Sequence, residues 1–326
     1  MYIEQAFKSL HEWWRYLLGF IIIFIVWQLI GSIPLIAGIF YSLGLEGIQN
    51  GDFPTDISEM AEILGSNLFL FLMLLTFAIG LVGVIFTAKV IHHQSFTALT
   101  TARKKIDWSR FWFVFILWGA VSSSFVLIDY FMEPEGYVWN FELVPFLTLA
   151  VIAILLIPLQ TSMEEYLFRG YLMQGLGVIT KTKWFPLFFT SIVFGLMHLA
   201  NPEVEQLGYI IMVYYIGTGF FLGIMTLMDD GLELALGFHA ANNLFTALLV
   251  TADWTAFQTN SLFKDVSEPT SAGFMDVFMP VFIIFPIILF ILAKKYKWSN
   301  WSEKLLGRVA EPVKEDYKII DSDSSI

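Results

Sequence analysis

The sequence predicts an all-α, polytopic membrane protein with about eight transmembrane helices, and three observations carry that prediction. The chain is apolar throughout, with 57% hydrophobic residues, only 14% charged ones and a mean hydropathy of +0.70. A soluble domain of 326 residues needs far more polar surface than this. Apolar runs of about 18 residues or more recur along the chain, each long enough to cross a bilayer as a helix. The charges between the runs segregate by sign.

Taken in order, the spans are expected near 16–43, 67–91, 110–131, 143–173, 184–200, 207–228, 232–251 and 276–296. The segment before the first, MYIEQAFKSLHEWWR, is amphipathic and mixed in charge. The run after it is longer than a signal h-region and has no small-residue cleavage site, so it reads as a span that stays in the protein. The first and fourth spans exceed what a bilayer requires, which predicts tilt, or a break near Gly31 and Pro34 in the first. No Gly/Ser linker and no internal repeat divides the chain. The tail EDYKIIDSDSSI is polar and is expected to be disordered.

Eight spans put both ends of the chain on one side. Seventeen of the 18 Lys and Arg residues then fall on that side, with Lys264 alone opposite, while the first opposite loop carries Glu46, Asp52, Asp56, Glu59 and Glu62. An odd number of spans would scramble this order. The positive-inside rule makes the basic side cytoplasmic, so the expectation is a multi-pass protein of the cell membrane with both termini in the cytoplasm. The net charge of −11 therefore describes topology more than partner binding. Nucleic acid is not an expected partner; the lipid bilayer is. With no cysteine in the chain, disulfides, thiol nucleophiles and Cys-rich zinc sites are excluded.

Ionisable groups inside spans are costly, so each is a functional hypothesis. They concentrate in three helices: Glu164, Glu165 and Arg169 in the fourth, His198 in the fifth and His239 in the seventh, the last accompanied by Asn242 and Asn243. Glu165 and Arg169 are i,i+4 neighbours and are expected to form a structural bridge. Glu164 is turned about 100° away and has no such partner on its helix. The midpoint between 164 and 198 is residue 181, inside the turn TKTK, so an antiparallel hairpin sets Glu164 and His198 at equal depth. A buried carboxylate beside an imidazole is a plausible water-activating pair. His239 and Asn243 share a helical face, where a neutral imidazole N–H and an amide NH2 would stabilise an oxyanion. Each group also has an ordinary reading: a packing histidine, or an asparagine that joins helices. The functional reading rests on three helices each offering a polar pair. Gly195, Gly217, Gly219, Gly223 and Gly237 read as close helix contacts.

The stretches EEYLFR (164–169), FGLMH (194–198) and HAANN (239–243) together resemble the CPBP family of intramembrane proteases, also called the Abi or type II CAAX prenyl endopeptidase family. Its pattern is EExxxR, FxxxH and HxxxN on successive core helices. The resemblance implies a catalytic core in helices four to seven (143–251), preceded by helices one to three (1–142). An outer loop, the last helix and the tail (252–326) follow. It also implies that Glu164 activates water with help from His198, that His239 and Asn243 stabilise the oxyanion, and that Glu165, Arg169 and Phe194 support them. The expected substrate is a membrane-embedded or lipidated peptide or protein, in a prokaryotic cell. Metal use is open: a zinc ion on Glu164, His198 and His239 is the alternative to a favoured metal-free glutamate mechanism. A non-catalytic scaffold or immunity protein of the same fold is the other reading, and a proton-coupled carrier the third, disfavoured by the lack of an inverted repeat.

Overall fold

The computed structural model describes residues 1–267 and 274–311. The tail expected to be disordered lies outside the described residues. Eight apolar helices are present: α1 (Trp13–Asn50), α2 (Ser66–Ile91), α3 (Trp108–Met132), α4 (Leu143–Thr180), α5 (Trp184–Leu196), α6 (Tyr209–Asp229), α7 (Glu233–Leu249) and α8 (Val277–Tyr296). Six of them are long and apolar enough to cross a membrane, α5 and α7 being shorter. The protein is an all-α polytopic membrane protein.

The helix interruptions have local causes. A π-helical turn over Ile25–Ile30 ends at Gly31, and α1 resumes at Ile33 with Pro34 in its first turn, as the Gly31/Pro34 break predicted. In α4, Pro158 lacks the N–H that would bond the Ile154 carbonyl. Another π-helical turn, Tyr166–Leu172, follows directly after Glu165, with others at Thr87–Ile91 and Pro280–Ile284. Extra backbone per turn of this kind marks functional segments of helices.

The fifth span departs from expectation. Its helix stops at Leu196 and not near 200, so His198 stands in a turn beyond the helix. The reason is a tightened exit: the His198 N–H bonds the Gly195 carbonyl at 3.0 Å and Leu199 bonds Leu196 at 3.1 Å, before Pro202 starts a new short helix, Pro202–Leu207. At about 1.5 Å per residue, α5 covers only about 20 Å of the bilayer. Irregular backbone completes that crossing, which lipid tolerates only where it lines a protein cavity.

The central helix, α4, packs on α2 and α7, and its π-helical turn on α5; α7 also packs on α3, and α6 on α5 and α8. Small residues set the closest approaches. A Cβ added at Gly219 would lie 2.5 Å from the Ser191 carbonyl oxygen, and one at Gly195 would lie 2.9 Å from the Ile216 backbone. Behind α7, Phe221 and Phe285 stack with centroids 4.3 Å apart, and Trp118 meets Phe238 at 4.4 Å.

The two ends of the bundle differ in chemistry. At the basic end Arg103 bonds Asp229 (2.7 Å) and Glu233 (3.1 Å), and Arg110 bonds Asp229 (2.5 Å). Lys183 bonds Glu303 at 3.0 Å, and the Tyr2 N–H donates to Asp230 at 3.1 Å. Segments from both ends of the described chain therefore meet on one side, as an even number of spans requires. At the acidic end a small sheet, order β1-β3-β2, joins β1 (Tyr137–Trp139) antiparallel and β2 (Val250–Thr251) parallel to β3 (Phe263–Asp265).

Candidate active site

Glu164 and Glu165 sit at the end of the regular part of α4, about two turns past Pro158 and just before the π-helical turn. Arg169 lies inside that turn, and its side chain is completely buried with that of Glu165. Arg169 Nη1 donates to Glu165 Oε1 at 3.0 Å, Nη2 donates to the Gly219 carbonyl at 3.1 Å, and the guanidinium lies 4.2 Å from the Phe194 ring centroid. The bridge expected from the i,i+4 spacing is present. It also fastens α4 to α6 and to α5.

Glu165 does more than hold Arg169. Its Oε1 also accepts from His239 Nδ1 at 2.8 Å, while His239 Nε2 lies 3.5 Å from Glu164 Oε2. His239 is thus gripped between the two carboxylates. With Nδ1–H committed to Glu165, His239 can donate from Nε2 only when both nitrogens carry a hydrogen.

Glu164 has a partner on its own helix after all. Gln160, one turn earlier, donates to Glu164 Oε1 at 2.7 Å. Gln160 in turn accepts from Asn243 Nδ2 at 3.0 Å, Asn243 Oδ1 accepts from Asn242 Nδ2 at 3.1 Å, and Asn242 Oδ1 accepts from Trp118 Nε1 at 3.0 Å. Every bond in this relay donates toward Glu164. Such aligned chains polarise one another inside a low-dielectric interior. One Nδ2 hydrogen of Asn243 is spent on Gln160, and the other has no hydrogen-bond partner among the described residues.

His198 Nδ1 faces the Phe194 carbonyl at 2.9 Å. A carbonyl only accepts, so Nδ1 carries the hydrogen and neutral His198 presents Nε2 as an acceptor. The ring stacks on Tyr215 at 4.3 Å. The hairpin brings Glu164 and His198 to the same cavity, although the imidazole in contact with Glu164 is that of His239.

That cavity measures about 740 Å³. Glu164, His198, His239 and Asn243 all line it, with Phe194 and Gln160, and it extends to Tyr137, Trp254 and Asp265 at the acidic end. Glu165 and Arg169 lie behind its wall. Sequence reasoning missed Gln160, Trp118, Tyr215 and Glu203. Only Gln160 carried a signal, as a lone amide one turn before Glu164 in an apolar run.

A zinc ion would need Glu164, His198 and His239 to converge. Both histidines donate from Nδ1, to the Phe194 carbonyl and to Glu165, which leaves each Nε2 to the cavity. Among the described residues no group of three or more His, Asp or Glu side chains is arranged to hold a metal ion.

The family model described as Type II CAAX prenyl endopeptidase Rce1-like matches residues 141–245, the stretch that contains Glu164, His198, His239 and Asn243. A Bacillus subtilis (strain 168) protein, the uncharacterized protein YyaK, is 32% identical over 242 residues, covering 73% of this chain and 78% of its own length. No solved structure matches. An apolar helical bundle that gathers EEYLFR, FGLMH and HAANN around one cavity thus has both a matching family model and a relative that matches over 73% of the chain, and the chain belongs to the CPBP family of type II CAAX prenyl endopeptidase-like membrane proteins.

Proposed function

We propose that the protein is an intramembrane endopeptidase that hydrolyses a peptide bond of a membrane-embedded or lipidated peptide or protein. The observation that carries this reading is the meeting of Glu164, His198, His239 and Asn243 in one cavity, with Glu164 held by a relay of donors. Water placed between Glu164 and His198 Nε2 loses a proton to Glu164 as its oxygen attacks the scissile carbonyl carbon. The resulting oxyanion accepts from His239 Nε2–H and from the second Asn243 N–H. As the tetrahedral intermediate collapses, the C–N bond breaks and Glu164 passes its proton to the leaving amine. No step uses a metal. The basic end faces the cytoplasm, in keeping with the excess of positive residues there.

Two measurements on the purified protein in detergent test this reading. Glu164→Gln is expected to lower peptidase turnover by about 10²–10⁴-fold, the usual contribution of a general base, at unchanged melting temperature. Undiminished cleavage by that variant overturns the assignment. Chelation is expected to leave activity intact; activity lost with chelator and restored by zinc overturns the metal-free mechanism. Full complementation of a deletion phenotype by Glu164→Gln would support the non-catalytic scaffold instead.

A further inference from the structure

The acidic end of the cavity holds a carboxylate that the mechanism does not use. Glu203, in the short helix Pro202–Leu207, lines the cavity and accepts from the Ala256 backbone N–H through Oε1 at 2.9 Å. Its other oxygen, Oε2, is shut away from solvent and has no hydrogen-bond partner among the described residues. Among the described residues no Lys, Arg or His lies within ion-pair distance of it.

A carboxylate in this position does nothing for the fold that a glutamine would not do. One backbone hydrogen bond to a charged group offsets only part of the cost of withdrawing an unpaired carboxylate from water. Burial accordingly raises the Glu203 carboxyl from its ordinary value, against the pull of the Ala256 N–H. A cation in the cavity beside the carboxylate would reverse that cost.

The described residues supply no such cation. The cavity lining includes three carboxylates, Glu164, Glu203 and Asp265, and neither Lys nor Arg. Lys264, the one basic residue in the loops of this end, is already paired with Asp253 at 2.8 Å. Two aromatic lining residues, Tyr215 and Trp254, add faces that favour a cation. The carboxylate is also linked to the reaction centre. His198 stands five residues before Glu203 in the chain, and Asn201 Nδ2 reaches the hydroxyl of Tyr215, the ring stacked on His198.

We propose that Glu203 is a substrate subsite for a basic side chain, so that the peptide taken by this cavity carries a lysine or arginine near its scissile bond. The proposal rests on the peptidase reading, but binding tests it separately. The probes are three fluorescent apolar peptides in lipid nanodiscs, identical except for a central lysine, glutamine or glutamate. Full-length protein bearing Glu164→Gln is expected to bind the lysine peptide about tenfold more tightly than the glutamine peptide, the scale of one charge-assisted bond. Adding Glu203→Gln is expected to erase the difference, and adding Glu203→Lys to move the preference to the glutamate peptide. Equal affinity for the lysine and glutamine peptides, or a lysine preference that survives Glu203→Gln, overturns the subsite. Should Glu203→Gln fail to fold, the glutamate peptide decides: the Glu164→Gln protein must bind it more weakly than the glutamine peptide, and equal binding overturns the proposal. A Glu203-dependent lysine preference in a protein that cleaves none of the peptides would uphold the subsite and defeat the peptidase reading.

Discussion

Arg169 and Glu165 are both fully buried, so removing either leaves an uncompensated charge in a water-free interior. Arg169→Met is expected to destabilise the protein by about 3–5 kcal/mol, read as a fall in detergent melting temperature and in cellular abundance. Arg169→Lys should rescue little, because an ammonium cannot reach Glu165 and the Gly219 carbonyl together while lying over Phe194. Glu203 predicts the opposite sign. Its carboxyl titrates above its ordinary value in the folded protein, so ionisation costs stability at pH above the folded value and costs nothing below the unfolded one. Glu203→Gln should therefore raise the melting temperature at about pH 8 and leave it unchanged at about pH 4, near the ordinary carboxylate range. A gain of equal size at both pH values would defeat that explanation. At this scale the sequence was partly readable. Glu164, Glu165, Arg169, His198, His239 and Asn243 stood out because charge and amide groups are rare in apolar runs. Glu203 did not, since an acidic residue after Asn201-Pro202 reads as solvated loop, and only the fold shows the Ala256 backbone closing over it. The clasp of His239 between two carboxylates was equally invisible, because it joins residues 74 positions apart.

Helices α5 and α6 touch backbone to backbone, and Arg169 reads that contact through the Gly219 carbonyl. Gly219→Ala should force them apart, at about 1–3 kcal/mol for overpacking, and should lower turnover by displacing the Arg169 anchor. A melting temperature equal to the parent would mean that the contact relaxes without cost. The relay that begins at Trp118 makes α3 a support of the site although it contributes no reacting group. The positions of the helices followed well from hydropathy, since each apolar run is one helix. The end of α5 did not. The run FGLMHLA stays apolar through the turn, and hydropathy cannot distinguish a helical apolar residue from one in a tightened exit.

For the whole molecule, the segregation of charge in sequence reappears as two chemically distinct ends in space. Which end faces the cytoplasm is directly measurable, because a chain without cysteine accepts single reporter thiols. Glu135→Cys, exposed at the acidic end, should react with a membrane-impermeant maleimide in intact cells, and Lys104→Cys, exposed at the basic end, only after permeabilisation. The reverse pattern would invert the orientation. The basic end also has a consequence for biogenesis. Tyr2 is buried at 1% exposure, with its hydroxyl on the Leu99 carbonyl at 2.6 Å and its N–H on Asp230, 228 positions downstream. At a synthesis rate of about 5–20 residues per second, the earliest residues wait roughly 10–45 seconds for the partner that seats them. Throughout that interval the first helix is inserted but unlatched. The Tyr2 latch closes only when the turn between α6 and α7 has left the ribosome, so the residues made first are seated only after six helices have been synthesised.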